Sequence, residues 1–425
     1  MQARNLQQWL SYLEQLHPSE IDMGLERVQD VAQRLGLQRI ASKIVTVTGT
    51  NGKGSTCAFL ASLVAQQGLK VGVYSSPHLL RYNERVRING ENVSDQQLCA
   101  AFTAVEQARS DTSLTYFEMG TLAAFWLFAQ ASLDVVILEV GLGGRLDAVN
   151  IVDADIAVVT NIGLDHSDWL GDTRDSVAYE KSGIFRTRHP ALCGDLFPPE
   201  RLLTQAALLD TPLLLRGRDF DLAVCPNSWH WRGVDAQGQP VQLQDIPLLS
   251  LPIENAALAL QAYALLKLSW QSDVLVRGLC ATHIAGRLQE LQLDYQGRTL
   301  HMMLDVAHNP HAASYLAQRL KSQSAQGRRL AVLGMLDDKD LVGVLDCIQE
   351  QITDWAVAVL PTARSCSVEH LQQTLESRQA VVAGYADIAQ AIEAQCAQAT
   401  EDDQIIIFGS FYTVAQALLW LESRV

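Results

Sequence analysis

Basic charge is scarce in this chain: 32 Lys and Arg face 47 Asp and Glu over 425 residues, a formal net charge of −15. Nucleic acid and anionic membrane surfaces need an extended basic face to displace counterions, so both are excluded as main partners, and an anionic ligand has to be gripped locally. Paired cysteines are missing too. Cys57, Cys99, Cys193, Cys225, Cys280, Cys347, Cys366 and Cys396 show no C-x-x-C spacing and sit mostly in apolar segments, which reads as reduced core thiols in a cytosol. No apolar stretch approaches the ~18 residues of a membrane span, and Met1-Gln2-Ala3-Arg4-Asn5 lacks a basic and apolar signal. The expected location is therefore the cytoplasm. There is no internal repeat and no low-complexity linker. With 48% apolar and 19% charged residues, the composition is that of an ordinary globular protein, long enough for two domains.

What is present is concentrated at residues 44–56. The β-branched run Ile44-Val45-Thr46-Val47-Thr48 breaks into Gly49-Thr50-Asn51-Gly52-Lys53-Gly54-Ser55-Thr56 and continues as an apolar-periodic helix. Glycines let backbone N–H groups converge on an anion, the helix N-terminus adds partial positive charge, and Lys53 reaches the outer phosphates. The common pattern is G-x-x-x-x-G-K-[ST]. Here Gly49 stands three before Gly52, and an extra Gly54 separates Lys53 from Ser55, so the loop is a variant. The expected ligand is ATP.

Helical periodicity covers residues 6–16 and 25–35 ahead of this strand, and a short strand at 71–74 completes a βαβ unit with parallel strands. Continuous apolar strands at 134–139 and 155–160, the first preceded by an apolar helix at 121–131, should be buried on both faces. Residues 213–243 read as antiparallel strands appended to the sheet, and a helix at 253–268 closes the first domain. The pattern restarts near Ala285-Gly286-Arg287, with strands expected at 300–306, 329–334, 356–360 and 404–408. The expected fold class is α/β: an N-terminal, mostly parallel-sheet P-loop ATPase domain over 1–286 and a smaller Rossmann-like α/β domain over 287–425 that lacks G-x-G-x-x-G.

Ligands of an open parallel sheet collect at the carboxyl ends of its strands. Four strand ends carry polar residues: the phosphate loop, Ser75-Ser76-Pro77-His78, Glu139-Val140-Gly141-Leu142-Gly143-Gly144-Arg145, and Asn161-Ile162-Gly163-Leu164-Asp165-His166. Glu139 follows a run of four apolar residues, where a carboxylate is costly unless it holds a cation or a hydrogen bond. Mg²⁺ between Glu139 and the nucleotide phosphates meets that need. The other reading of Glu139 is a cap before Gly141. His166 taken alone is a structural loop histidine, raised in interest by its place at a fourth strand end.

Together with Glu180-Lys181-Ser182-Gly183-Ile184 and Asp305-Val306-Ala307-His308-Asn309-Pro310-His311, these segments resemble the folylpolyglutamate synthase and dihydrofolate synthase family within the Mur-ligase superfamily. The resemblance spans nearly the whole chain, in order. It implies that Lys53 and the backbone of Thr50, Asn51, Gly52, Gly54, Ser55 and Thr56 hold the ATP phosphates, that Ser76, Glu139 and His166 are magnesium positions, and that Lys181 is carbamylated to serve a second metal. On its residue type alone, Lys181 reads as a solvated side chain. Asn255 resembles a nucleotide-contacting asparagine, Arg287 an arginine at the domain junction, and Asp305 and His308 second-domain residues that close over the ribose and terminal phosphate. Two departures, Ala285 for Pro and Val306 for Gly, put local backbone geometry rather than any functional side chain in question.

For the pterin side the resemblance points to Asp22-Met23-Gly24-Leu25-Glu26-Arg27-Val28, with Gly24 and Arg27, and to Asp147. Phe117 offers a ring for stacking, Arg81 opens a loop (81–87) that covers the substrate, and Ser410 is a candidate for the glutamate carboxylate. Ordinary packing or surface charge is the alternative for each. The implied reaction adds L-glutamate to dihydropteroate and to reduced folates: ATP phosphorylates the acid, and the amine attacks the acyl phosphate. Metal and Lys53 would neutralise charge while second-domain closure keeps the intermediate dry. The expected state is a monomer. A nucleotide-operated switch and a peptidoglycan amino-acid ligase are the rival readings.

Overall fold

The computed structural model describes residues 4–19, 21–323 and 326–424. It is a mixed α/β protein with two compact units, Met1–Thr282 and His283–Val425. In the first, eight strands form one sheet: β1 (Lys43–Thr48), β2 (Val71–Tyr74), β3 (Val86–Ile88), β4 (Glu91–Asn92), β5 (Val135–Glu139), β6 (Ile156–Val159), β7 (Ala191–Cys193) and β8 (Leu213–Leu215), in the order β4-β3-β2-β5-β1-β6-β7-β8. The β2/β3 and β3/β4 pairs are antiparallel and the others parallel. β1, β2, β5 and β6 are therefore neighbours whose carboxyl ends lie along one edge.

The central strands are buried on both faces because helices cover them, which is what their unbroken apolar runs encode. Helix Lys53–Ala65 has eight buried residues, and helix Tyr116–Gln130 starts on a capping box in which Thr115 and Glu118 exchange hydrogen bonds. That helix begins five residues before the expected 121. Residues 81–87 are not all loop: a 3₁₀ turn, Tyr82–Arg85, leads into β3, whose register with β2 fixes Arg87 opposite Val73.

The expected antiparallel extension at 213–243 divides in two. β8 joins the main sheet in parallel, while β9 (Asp221–Val224), β10 (Ser228–Val234) and β11 (Pro240–Pro247) form a separate antiparallel sheet. Helix Ile253–Leu265 is not the last of its unit, since Ser272–Cys280 follows.

The second unit carries a six-stranded sheet of β12 (Gln289–Tyr295), β13 (Arg298–Asp305), β14 (Arg329–Leu333), β15 (Asp354–Ala358), β16 (Val382–Tyr385) and β17 (Gln404–Phe408). Its order is β12-β13-β17-β14-β15-β16, parallel except for the β12/β13 hairpin. Both edge strands, β12 and β16, are absent from the sequence expectation. No helix among the described residues is long and apolar enough to cross a membrane.

Candidate functional site

β1 delivers the chain into the glycine loop, and the loop is clasped from the side by the end of β6. Thr50 N–H donates to the Asn161 carbonyl at 3.1 Å, and Asn51 N–H to Asn161 Oδ1 at 3.0 Å. Asn161 Nδ2 and Thr160 Oγ1 return hydrogen bonds to the Asn51 carbonyl, at 2.9 and 2.6 Å. The amides of Thr50 and Asn51 are thus spent on the protein, which shifts the anion-binding role toward the helix start at Lys53, where first-turn N–H groups have no partner within the helix. Gly52 has φ +83°, and a Cβ there would lie 2.4 Å from Asn255 Oδ1, so the asparagine side chain packs directly on the loop. Lys53 Nζ folds back onto the carbonyls of Gly49 (3.0 Å) and Thr50 (3.3 Å).

Glu139, at the end of β5, is buried with its carboxylate beside the loop. Ser76 N–H, at the end of β2, reaches Glu139 Oε2 at 3.3 Å. A Cβ at Gly54 would stand 3.6 and 3.7 Å from the two Glu139 oxygens, so any side chain longer than alanine would fill the space in front of them. That gap is what the unexpected glycine provides. Among the described residues no three His, Cys, Asp or Glu side chains converge as a metal site. This fits magnesium, which takes one or two carboxylates and completes its shell with hydroxyl, phosphate and water oxygens. The Ser76 and Glu139 pair, with the gap before it, suits such an ion.

A second group of residues meets the loop on the β6 side. Thr48, Gly49, Thr50 and Lys53 line a pocket with Gly141, Gly143, Asp165, His166 and Lys181. His166 is exposed and sits in the left-handed region (φ 53°) at the start of a short helix, Ser167–Leu170. Lys181 is 3% exposed and not a solvated side chain. Burial, with the charge of Lys53 added, pushes its amine down to about 7, against an upward pull from Asp165. Asp165 was missed as a site residue. Its signal was an acid beside His166 at a strand end, the place where a buried lysine would need a counter-charge.

Two of the residues expected on the pterin side, Phe117 and Asp147, meet at Gly141, just past the end of β5. Phe117 packs against Gly141, where a Cβ would come within 2.7 Å of its ring, and stands 5.9 Å from the Tyr74 ring. Asp147 is buried beside them, accepting N–H bonds from Leu142 (2.8 Å) and Val149 (3.0 Å); burial raises its carboxyl to about 6 despite those bonds. Arg27 bridges Asp22 and Glu118 at 2.8 and 2.9 Å, a use that fastens the 22–27 segment to helix Tyr116–Gln130. Gly24 lies in that segment, and Arg81 is exposed. Arg85, unflagged by sequence, donates to His78 Nδ1 at 2.8 Å between the rings of Tyr82 and Tyr116; burial and that guanidinium lower His78 to about 4.

In the second unit, the carboxyl ends of adjacent β13 and β17 hold a separate group. Asp305 accepts N–H bonds from Leu288 and Ala307, both at 2.8 Å; burial raises its carboxyl against the lowering charge of Arg287. The Arg287 guanidinium lies 5.0 Å over the Phe411 ring. His308 binds the Val306 carbonyl through Nδ1 at 2.8 Å, which fixes the proton there and turns Nε2 into the acceptor of the neutral ring. Ser410 is buried at the N-cap of helix Phe411–Glu422 and accepts from Thr413 N–H.

Residues 47–192 match the Mur ligase middle domain, and residues 286–411 match the Mur ligase glutamate ligase domain. The dihydrofolate synthase/folylpolyglutamate synthase of Escherichia coli K12 is 46% identical over 99% of this chain and 97% of its own length. The structure of E. coli FolC in complex with DHPP and ADP aligns with a TM-score of 0.93 at 45% identity, covering 99% of both chains. A crystal structure of a bifunctional folylpolyglutamate synthase/dihydrofolate synthase with Mn, AMPPNP and L-glutamate bound aligns at 0.90 with 45% identity, over 99% of this chain and 98% of that one.

Proposed function

This chain belongs to the dihydrofolate synthase/folylpolyglutamate synthase family of Mur-type ligases, and from that premise we propose which of its residues perform each part of the reaction. The enzyme is an ATP-dependent ligase that adds L-glutamate to dihydropteroate and to reduced folates. A carboxylate does not condense with an amine at neutral pH. It first takes the terminal phosphoryl group of ATP, and the glutamate amine then displaces phosphate from the acyl phosphate.

Lys53 and the first-turn amides of helix Lys53–Ala65 bind the phosphates, and Asn255, packed on Gly52, fixes the loop against the nucleotide. Ser76, Glu139 and His166 are the residues that would hold Mg²⁺, which would supply charge neutralisation at the transferring phosphoryl group. Lys181 has the free amine that carbamate formation requires, because burial holds its pKa near 7. Phe117 and Asp147 support pterin binding: the one offers a ring face, the other a buried carboxyl beside it. In the structure Arg27 serves to hold the loop that carries Gly24, so its part in binding is indirect.

The glutamate site is assigned to the second unit. Ser410, at the start of helix Phe411–Glu422, is the residue assigned to the glutamate carboxylate, while Arg287 and Asp305 are assigned to the nucleotide and His308 to the terminal phosphate. The proposed domains are 1–286, with the phosphate loop and the pterin elements, and 287–425, with the glutamate site; the compact units divide four residues earlier, after Thr282. A reducing cytoplasm suits the eight free cysteines, and a monomer is the proposed state.

The observation that carries this reading is the juxtaposition of a buried carboxylate with a phosphate loop that has lost its side chain at residue 54. Purified enzyme should release ADP only when a pteroate-type acid and L-glutamate are both supplied, with product masses rising by one glutamyl residue. Hydrolysis of ATP indifferent to either would favour the nucleotide-operated switch.

A further inference from the structure

Cys225 and His230 form a thiol–imidazole pair on the small antiparallel sheet, apart from every residue assigned above. In the β9/β10 register Ala223 faces His230 and Val224 faces Trp229, which makes Cys225 the diagonal neighbour of His230 on the same face. The turn is closed by Cys225 N–H donating to the Ser228 carbonyl at 2.8 Å, and the sulfur lies 3.3 Å from His230 Nε2.

The far side of the imidazole settles its tautomer. Between Trp229↔Ile246 and Trp231↔Leu243 the β10/β11 ladder bulges, so Gln244 and Asp245 both oppose His230. The bulge turns the Asp245 N–H onto His230 Nδ1 at 3.0 Å. Since Nδ1 accepts that hydrogen bond, the neutral ring carries its proton on Nε2, pointed at sulfur. An N–H aimed at sulfur donates to it and holds it in one position at the turn.

Access and competition point the same way. Cys225 is half-buried, at a turn whose residues Val224, Pro226 and Asn227 are exposed. Burial pushes up the thiol pKa of Cys280, which is the exposed cysteine.

We propose that Cys225 is a thiol–disulfide exchange site for small-molecule disulfides, with His230 as the residue that positions its sulfur. The Cys225 sulfur attacks one sulfur of the disulfide and forms a new S–S bond. The old S–S bond breaks, and the departing half leaves as a thiolate and takes up the proton that Cys225 has lost. The disulfide reagent is the oxidant, and nothing else is consumed.

The test treats the full-length enzyme with oxidised glutathione at neutral pH and maps adducts by peptide mass over time. The first adduct is expected on Cys225, about tenfold ahead of Cys280, and His230→Phe should slow the Cys225 adduct by about tenfold. Cys225→Ser should remove the fast adduct and leave the slow ones. A first adduct on Cys280 in the unaltered enzyme overturns the proposal, as does an unslowed Cys225 in a His230→Phe protein with a native melt. Because the wild-type ordering is itself decisive, a variant that failed to fold would not shelter the idea.

Discussion

At the scale of single residues, the phosphate loop is governed by two glycines with different duties. Gly52 needs its positive φ and its bare α-carbon, because Asn255 occupies the place of a side chain. Gly54 has ordinary φ and only the Glu139 carboxylate in front of it, so its role lies in the ligand rather than in the backbone. Gly54→Val should therefore fold normally yet lose nucleotide-dependent turnover by about 10²-fold or more, in line with removal of one electrostatic contact to the transferring group. Lys53→Ala should match it, whereas near-normal turnover in either variant with an intact melt would remove this loop from the chemistry. Lys181 sets a pH limit. Its amine is neutral above about 7 and protonated below. Carbamate forms from the neutral amine and CO₂ with release of a proton, so activity should fall as pH drops through about 7. Added bicarbonate should partly restore that acid limb, and Lys181→Arg should be inactive at every pH; an acid limb indifferent to bicarbonate would count against the carbamate. Lys53 and Glu139 stood out in the sequence because each sits in a motif with a stated chemical need, whereas Asn255 was reached only through the family resemblance. The burial of Lys181 was not legible, since its helix, Arg174–Ser182, carries mostly polar residues and gives no apolar signal around it.

At the scale of elements, the small β9-β10-β11 sheet looks peripheral but is tied to the helix that carries Asn255. Trp231 is buried, donates its indole N–H to the Ala257 carbonyl at 3.1 Å and stacks on Trp270 at 5.6 Å. Gln261, fully buried in the same helix, exchanges two hydrogen bonds with the backbone of Val234, at 3.1 and 2.6 Å. Trp231→Ala should cost ~3–5 kcal/mol of stability, read as a lowered midpoint in urea, because it opens a large cavity and strips an anchor from helix Ile253–Leu265. A loss under ~1 kcal/mol would show the sheet to be independent of that helix. The buried central strands were readable from their apolar runs. Among the strands that escaped, β12 and β16 are edges: β12 alternates polar residues and β16 is at most half-buried along its length, so neither produces a continuous apolar signal, while β3, β4 and β7 have only two or three residues each. The 213–247 region was half-legible for a related reason. Its alternation announces strands, but nothing local says that β8 pairs in parallel with β7 while β9 turns away to begin another sheet.

At the scale of the whole molecule, charge was the property most fully readable from the sequence, and it sets a constraint the site must overcome. A chain of net charge −15 receives ATP, a folate carboxylate and glutamate, all anions. Attraction is confined to a few cations such as Lys53, while the long-range field opposes approach. Raising ionic strength from about 10 to about 150 mM shortens the screening length from ~30 to ~8 Å, which removes the distant repulsion and spares contacts made within the loop. The expected result is that kcat/KM for ATP at constant free magnesium stays level or rises by up to about twofold over that range. An enzyme steered by a basic surface would do the opposite, and a severalfold fall with salt would show that the acidic excess lies away from the nucleotide's path.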